Sequence, residues 1–277
     1  MNKFLKLVNF EMNRFKKIYI VLLLITVIFQ FVGVFVISLS FMNDSKRMMH
    51  DESLSVVQYV HKYGLFDFTH ILRSLWFFAP IGIGVTAILF YIFFIWYRDW
   101  FGKNTFIYRL LMLPTSRLNI ILSKGLTILI FVLGLIAFQL ILLPIENAMV
   151  NWLVSNEFLN RMNVQEILGS SFELSLLIPG SFIEFILYYA TGLMAVFVIF
   201  TGILFERSYR IKGIIFGVLY AIAAFIVFFS PFLVEMILQK DYLYGIEKLL
   251  LLIVMGIIVF IGSLLVSNFL LKKKVSV

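Results

Sequence analysis

The chain contains no cysteine, so disulfides, thiol catalysis and thiolate metal sites are excluded. Charge is scarce: 14% of residues are charged, against about 25% in soluble domains. No polar stretch is long enough to build a soluble domain. There is no GxxxxGK[ST] loop, so the chain cannot hold ATP by a P-loop, and GxSxG and HExxH are also missing. No pair of carboxylates sits in the middle of an apolar run. The three histidines, His50, His61 and His70, lie in or at the edge of one segment and read as solvated loop residues rather than metal ligands. No internal repeat or inverted symmetry points to a secondary carrier. What is abundant is apolar: the chain is 62% hydrophobic with a mean hydropathy of +1.03, the composition of a polytopic membrane protein. Its aromatic residues are spread through the apolar runs as packing and lipid-facing groups, so nucleic acid is not expected as a partner. The abundance of Lys, Ile, Phe and Asn fits a low-GC bacterial genome.

A spanning helix needs about 20 mostly apolar residues to cross a hydrocarbon core about 30 Å thick. Six stretches satisfy this: Ile18–Phe41, Leu72–Tyr97, Asn119–Leu143, Gly180–Phe205, Gly213–Leu238 and Glu247–Leu271. The run after Lys17 is too long for a signal-peptide core, and no small-residue cleavage site follows it, so a cleavable signal is not expected. Six spans put both termini on one side. That side holds sixteen of the 23 Lys and Arg residues, clustered before the first span, around residues 98–124, at Arg207–Lys212 and at Lys272–Lys274. The positive-inside rule therefore makes the termini cytoplasmic. Gly213 and Gly217 form a GxxxG that reads as a close helix contact. Pro80, Pro144, Pro179 and Pro231 lie near the outer ends of spans, where proline kinks a helix. The outer segments Met42–Ile71, Pro144–Pro179 and Gln239–Ile246 hold most of the acids and read as solvated, with partial helical periodicity at Asn147–Leu159 and Val164–Leu177.

Two cytoplasmic stretches stand out. In residues 1–17, Phe4, Leu5, Leu7, Val8, Met12 and Phe15 share one helical arc, and most of the Lys, Arg and Asn residues share the other. This reads as an amphipathic helix lying on membrane lipid. Phe10, on the polar arc, and Glu11, on the apolar one, break the pattern. Glu11 reads as a snorkelling or locally paired carboxylate. The second stretch is Arg98–Leu118. Its centre, Phe106–Leu113, is a short helix apolar on nearly every side, with Arg109 its only charge; such a helix is buried or needs a partner. Asn104 or Thr105 can cap its start and Pro114 ends it. The basic residues around it, Arg98, Lys103, Arg117 and Lys124, read as topology determinants.

Acids near the outer interface are Glu146, Glu184 and Glu235. They read as snorkelling or paired groups, and alternatively as an outer vestibule for releasing a cationic substrate.

The order of these features resembles the membrane-spanning permease of an ABC (ATP-binding-cassette) exporter, of the type-2 (ABC-2) class. The resemblance rests on the N-terminal amphipathic elbow running into the first span. It rests also on the loop after the second span, with Arg98, Asp99, Gly102 and the tract Leu111–Arg117, followed by Ser123 and Lys124. Asp99 stands where the family pattern leads one to expect glutamate, and the segment between the third and fourth spans is longer. The resemblance implies an all-α membrane protein forming a single permease domain over residues 1–277. It would comprise an elbow helix at 1–17, six spans within 18–271 and a cytoplasmic coupling helix in loop 98–118. It implies further that Thr105, Phe106, Ile107, Arg109, Leu110, Leu111, Leu113 and Pro114 dock on a separate cytoplasmic ATPase, which would bind ATP and Mg. The chain itself would then be no enzyme and carry no cofactor. A second permease chain, identical or related, would complete the transporter in a bacterial plasma membrane. The substrate class suggested is an antimicrobial or other amphipathic peptide. The alternatives are a scaffold or sensor that recruits a cytoplasmic regulator, and an ion-coupled secondary carrier.

Overall fold

The computed structural model describes residues 3–101, 106–238 and 243–274. Among them the chain is helical, and its only strand-like pairing is an isolated parallel bridge, Phe66 with Leu159. Six helices are long and apolar enough to cross a membrane: α1 (Lys3–Asp51), α4 (Leu75–Phe101), α6 (Arg117–Leu153), α9 (Phe182–Tyr209), α10 (Ile211–Phe228) and α12 (Gly245–Lys273). Shorter helices are α2 (Val56–Tyr63), α3 (Thr69–Leu72), α5 (Phe106–Leu111), α7 (Val164–Gly169), α8 (Phe172–Leu177) and α11 (Ser230–Leu238). The multi-pass all-α architecture expected from hydropathy is present.

Several boundaries differ from the sequence reading, each for a local reason. No break separates the expected elbow from the first span: α1 runs through both, 49 residues long. Neither glycine nor proline occurs before Gly33, so nothing in this stretch interrupts helix propagation. The loop expected at Glu206–Lys212 shrinks to Arg210 alone, in the left-handed region at φ 56°. The fifth span, expected to reach Leu238, breaks at Phe229. Pro231 cannot donate the helical bond to the Val227 carbonyl four residues back, and Ser230 Oγ donates to that carbonyl instead, at 2.8 Å.

The chain divides into two compact units. The first gathers Met1–Phe15, Ile88–Ile130 and Ile186–Val277; the second gathers Lys16–Ala87 and Phe131–Phe185.

In the first unit, small and hydroxyl residues bring helices together. A Cβ on Gly213 would lie 2.0 Å from the Phe205 carbonyl oxygen, and one on Gly217 would lie 3.0 Å from that of Gly202. The GxxxG is thus a backbone contact of α10 on α9. Thr201 of α9 shares a 2.8 Å hydroxyl bond with Ser267 of α12, and Tyr220 of α10 shares a 2.9 Å bond with Ser263. The outward faces of α10 and α12 are apolar, including Ile215, Leu219, Phe225, Leu250 and Leu265, as lipid contact requires.

The second unit contains the first two outer segments that read as solvated, Met42–Ile71 and Pro144–Pro179, and they are folded instead. α1 continues past Phe41 to Asp51, and α6 past Leu143 to Leu153. Short helices close the rest. Ser55 and Gln58 cap α2 reciprocally, as Asn163 and Glu166 cap α7. Phe66 N donates to the Phe158 carbonyl at 2.7 Å, and Asn160 N donates back to Phe66 at 2.8 Å. Beneath them Tyr59, Phe66, Phe68, Phe77, Phe158 and Leu174 make an aromatic-rich core. Apolar residues dispersed in polar sequence converge there, which hydropathy averaged along the chain cannot register.

Candidate functional site

The short apolar helix expected after the second span is α5. It ends at Leu111, two residues short of the expected Leu113: Leu113 N reaches back only to the Leu110 carbonyl, at 3.3 Å, and Pro114 disfavours helical backbone just before it. The proposed caps, Asn104 and Thr105, lie outside the described residues. The inner face of α5 is already occupied: Ile107, Leu110 and Leu111 are buried within the first unit. Each such burial contributes roughly 1.5–3 kcal/mol to holding α5 in place. These three side chains are therefore not free for a partner, as the apolar pattern alone suggested. The outward-facing residues are Arg109, Met112 at 70% exposure, Leu113 at 42%, and Pro114.

What grips α5 is the beginning of α1. Phe106 stacks on Phe10 with ring centroids 5.4 Å apart. The Arg14 guanidinium lies 5.0 Å from the Phe10 ring and 5.2 Å from the Phe106 ring. Lys3 Nζ donates to the Pro114 carbonyl at 2.9 Å. The arc of α1 read as lipid-facing turns largely inward: Leu7, Val8 and Phe15 are buried, and only Leu5 of that arc is exposed. Phe10, the misfit on the polar arc, is the residue that meets α5.

Glu11, the other misfit, sits in a buried ion-pair cluster. Lys124 Nζ lies 2.6 Å from Glu11 Oε1, 2.6 Å from Asp99 Oδ2 and 2.9 Å from the Ile95 carbonyl. All three ammonium hydrogens thus have acceptors. Arg14 donates to Asp99 at 2.6 Å and Arg98 to Glu11 at 2.9 Å. Lys124 and Asp99 are wholly buried and Glu11 is 2% exposed. The arginines are about one-fifth exposed, at 22% and 18% of their side chains. Three cations against two carboxylates leave one net positive charge, carried at the partly exposed edge. The cluster joins α1, α4 and α6 at one point. Arg98 and Lys124, read as topology determinants, are structural members of it.

The sequence carried a trace of this cluster. An acid on an apolar arc, an acid at the end of α4 and a lysine two turns inside α6 were each visible. Their convergence was not, because the three positions are up to 113 residues apart.

Other polar contacts surround the helix ends of this unit. Tyr97 donates to Glu206, and Arg207 lies 4.7 Å from the Tyr97 ring centroid and 4.5 Å from that of Phe101. Arg117 donates to the Leu271 carbonyl.

The three outer acids do not share one environment. Glu146 is wholly enclosed in the second unit. Glu184 is exposed. Glu235 belongs to the first unit and pairs with Lys248 at 2.7 Å. His50 and His61 are exposed. His70 stacks on Phe66 at 4.9 Å and contacts Asp67 Oδ1 through Nδ1 at 3.0 Å. Partial burial pulls the Asp67 carboxyl up, but hydrogen bonds from Thr69 and His70 outweigh it and hold it below the ordinary range. Among the described residues no three His, Asp or Glu converge as a metal site would require.

No protein-family model, curated protein or solved structure matches this chain.

Proposed function

We propose that this chain is the membrane-spanning permease of an ATP-driven exporter of the ABC-2 class. It would work with a separate cytoplasmic ATPase that binds ATP and Mg, and with a second permease chain, in a bacterial plasma membrane with both termini cytoplasmic. The observation that carries the reading is the linkage of α5. Its inner face is packed, its outer edge presents Arg109, Met112 and Leu113, and its other contacts run through Phe10 and Arg14 into α1. Arg14 binds Asp99 of α4, which binds Lys124 of α6. A force applied to the outer edge of α5 is delivered to three long helices at once. A protein that lacks an ATP site but responds to an ATPase needs such a connection. Packing of Ile107, Leu110 and Leu111 within the chain suits this role, since a loosely held helix would absorb the movement instead of passing it on.

The assignment of roles within α5 thus changes. Ile107, Leu110 and Leu111 anchor the helix, and Arg109, Met112, Leu113 and Pro114 form the face offered to the ATPase. Amphipathic or antimicrobial peptides remain the proposed substrate class, on the resemblance alone.

The test is a search of the neighbouring genes for an ABC ATPase, followed by co-purification of its product with this chain. Met112→Asp with Leu113→Asp should abolish capture of the ATPase and substrate-stimulated ATP hydrolysis, while the permease keeps its yield and elution volume. Leu110→Asp should instead lower the yield of folded permease. Retained capture and hydrolysis in the Met112/Leu113 variant would refute the coupling assignment. A chain that captures no ATPase at all would favour the scaffold reading.

A further inference from the structure

The interior of the second unit is apolar except along one strip. α1 buries Thr26, Gln30, Val34, Ser38, Met42 and Ser45 on one face, and α6 buries Gln139, Leu143, Glu146 and Val150 on another. Thr26 and Ser45 donate to carbonyls one turn back on their own helix. The other polar side chains are incompletely satisfied. Among the described residues, Gln30 Oε1, Ser38 Oγ, Gln139 Nε2 and both carboxyl oxygens of Glu146 have no hydrogen-bond partner.

The two helices run in the same direction here. Tyr19 packs on Phe131 with centroids 4.7 Å apart, and further along Gln30 Nε2 donates to Gln139 Oε1 at 3.1 Å. Ser38 is about 12 Å along α1 from Gln30, and Glu146 about 10.5 Å along α6 from Gln139, at about 1.5 Å per residue. Spacing therefore brings Ser38 and Glu146 to one level. The surrounding core receives Tyr59 from α2, Ile71 from α3, Phe77 from α4, Ile167 from α7 and Leu174 from α8. Tyr59 is the one titratable side chain among them, and it is engaged with Ser45 Oγ at 2.9 Å. Among the described residues, none in this core supplies a positive charge.

An ionised carboxylate is too costly to leave alone in such surroundings. The unpaired atoms at the Ser38 and Glu146 level, Ser38 Oγ and both Glu146 carboxyl oxygens, are all oxygens, which suit a positively charged occupant. We infer that Glu146, with Ser38 at its level, forms an internal binding site for a small monovalent cation, either a proton or a bare alkali ion. Either one brings a single positive charge to one buried carboxylate, the proton by forming an O–H bond and the alkali ion by coordination to oxygens. The site is independent of what α5 docks on.

The experiment uses the full-length chain in nanodiscs, with thermal unfolding followed by tryptophan fluorescence. One arm raises the pH in choline chloride. The other replaces choline by sodium at fixed alkaline pH. In choline, ionisation of Glu146 leaves its charge uncompensated in the folded state only, so the wild-type Tm falls as pH rises, by about 5 °C. Glu146→Gln removes that slope. If sodium restores the wild-type Tm and Ser38→Ala weakens the effect, the occupant is the alkali ion. If sodium does nothing while the slope still depends on Glu146, it is the proton. Equal responses of wild type and Glu146→Gln in both arms would overturn the site. Should Glu146→Gln fail to fold, wild-type labelling by dicyclohexylcarbodiimide decides. Modification of Glu146 that sodium or alkaline pH suppresses supports the site, and no modification, or modification indifferent to both, overturns it.

Discussion

Asp99 and Lys124 make the most enclosed contact of the ion-pair cluster, 2.6 Å apart with both side chains fully buried. Removing either one leaves charge behind in a place water does not reach, and the two removals are not equivalent. The cluster holds Arg14, Arg98 and Lys124 against Glu11 and Asp99. Lys124→Met removes one cation and leaves two of each sign, still able to pair as Arg14 with Asp99 and Arg98 with Glu11. Asp99→Asn keeps the shape but leaves three cations facing Glu11 alone. Breaking a buried pair costs roughly 3–5 kcal/mol. The charge balance places Lys124→Met at the lower end, about 3 kcal/mol, and Asp99→Asn at the upper end, about 5 kcal/mol. The double variant should cost less than the two together by at least about 1.5 kcal/mol, because the second substitution relieves an imbalance made by the first. The assay is equilibrium unfolding in mixed micelles, with all four proteins titrated under one condition. Additivity within about 0.5 kcal/mol, or Asp99→Asn proving no worse than Lys124→Met, would refute the reasoning.

Gly213→Ala should destabilise the protein by roughly 1–3 kcal/mol, since the added carbon meets the Phe205 carbonyl rather than a side chain that can move. Gly217→Ala, with a 3.0 Å approach, should cost less, and a reversed order in the same unfolding assay would exclude this packing. In the second unit, the Asp67 carboxyl lies below the ordinary aspartate value of 3.8, so its bonds to Thr69 and His70 stabilise the fold above that value and are lost as pH falls through the lowered one. Hydrogen exchange at the Phe66 and Asn160 amides, corrected for intrinsic rates, should show protection falling on acidification, and Asp67→Asn should flatten that dependence. An unchanged acid profile in Asp67→Asn would remove the carboxylate from the account.

Much of the architecture follows from the sequence by itself. Composition and run length determine that this is an all-helical chain of six spanning candidates, because each apolar run must bury its own backbone hydrogen bonds. Proline placement also limits how far α5 can run. These features depend on neighbours a few residues apart, so a linear reading captures them. The short apolar helix was legible for the same reason, but which of its residues were free was not: Ile107 and Met112 look alike in sequence, and only the fold, which buries the first and exposes the second, distinguishes them. Hydropathy likewise reported the first two outer segments as polar, while their scattered aromatic residues condense into one core. Tertiary structure decided the charges most of all. Glu11 and Lys124 read separately as a misplaced acid and a topology signal, and their meaning comes from the 2.6 Å between them. Electrostatic pairing acts through space, and burial multiplies its strength, so a cluster assembled from three distant helices is written in the fold and only hinted at in the chain.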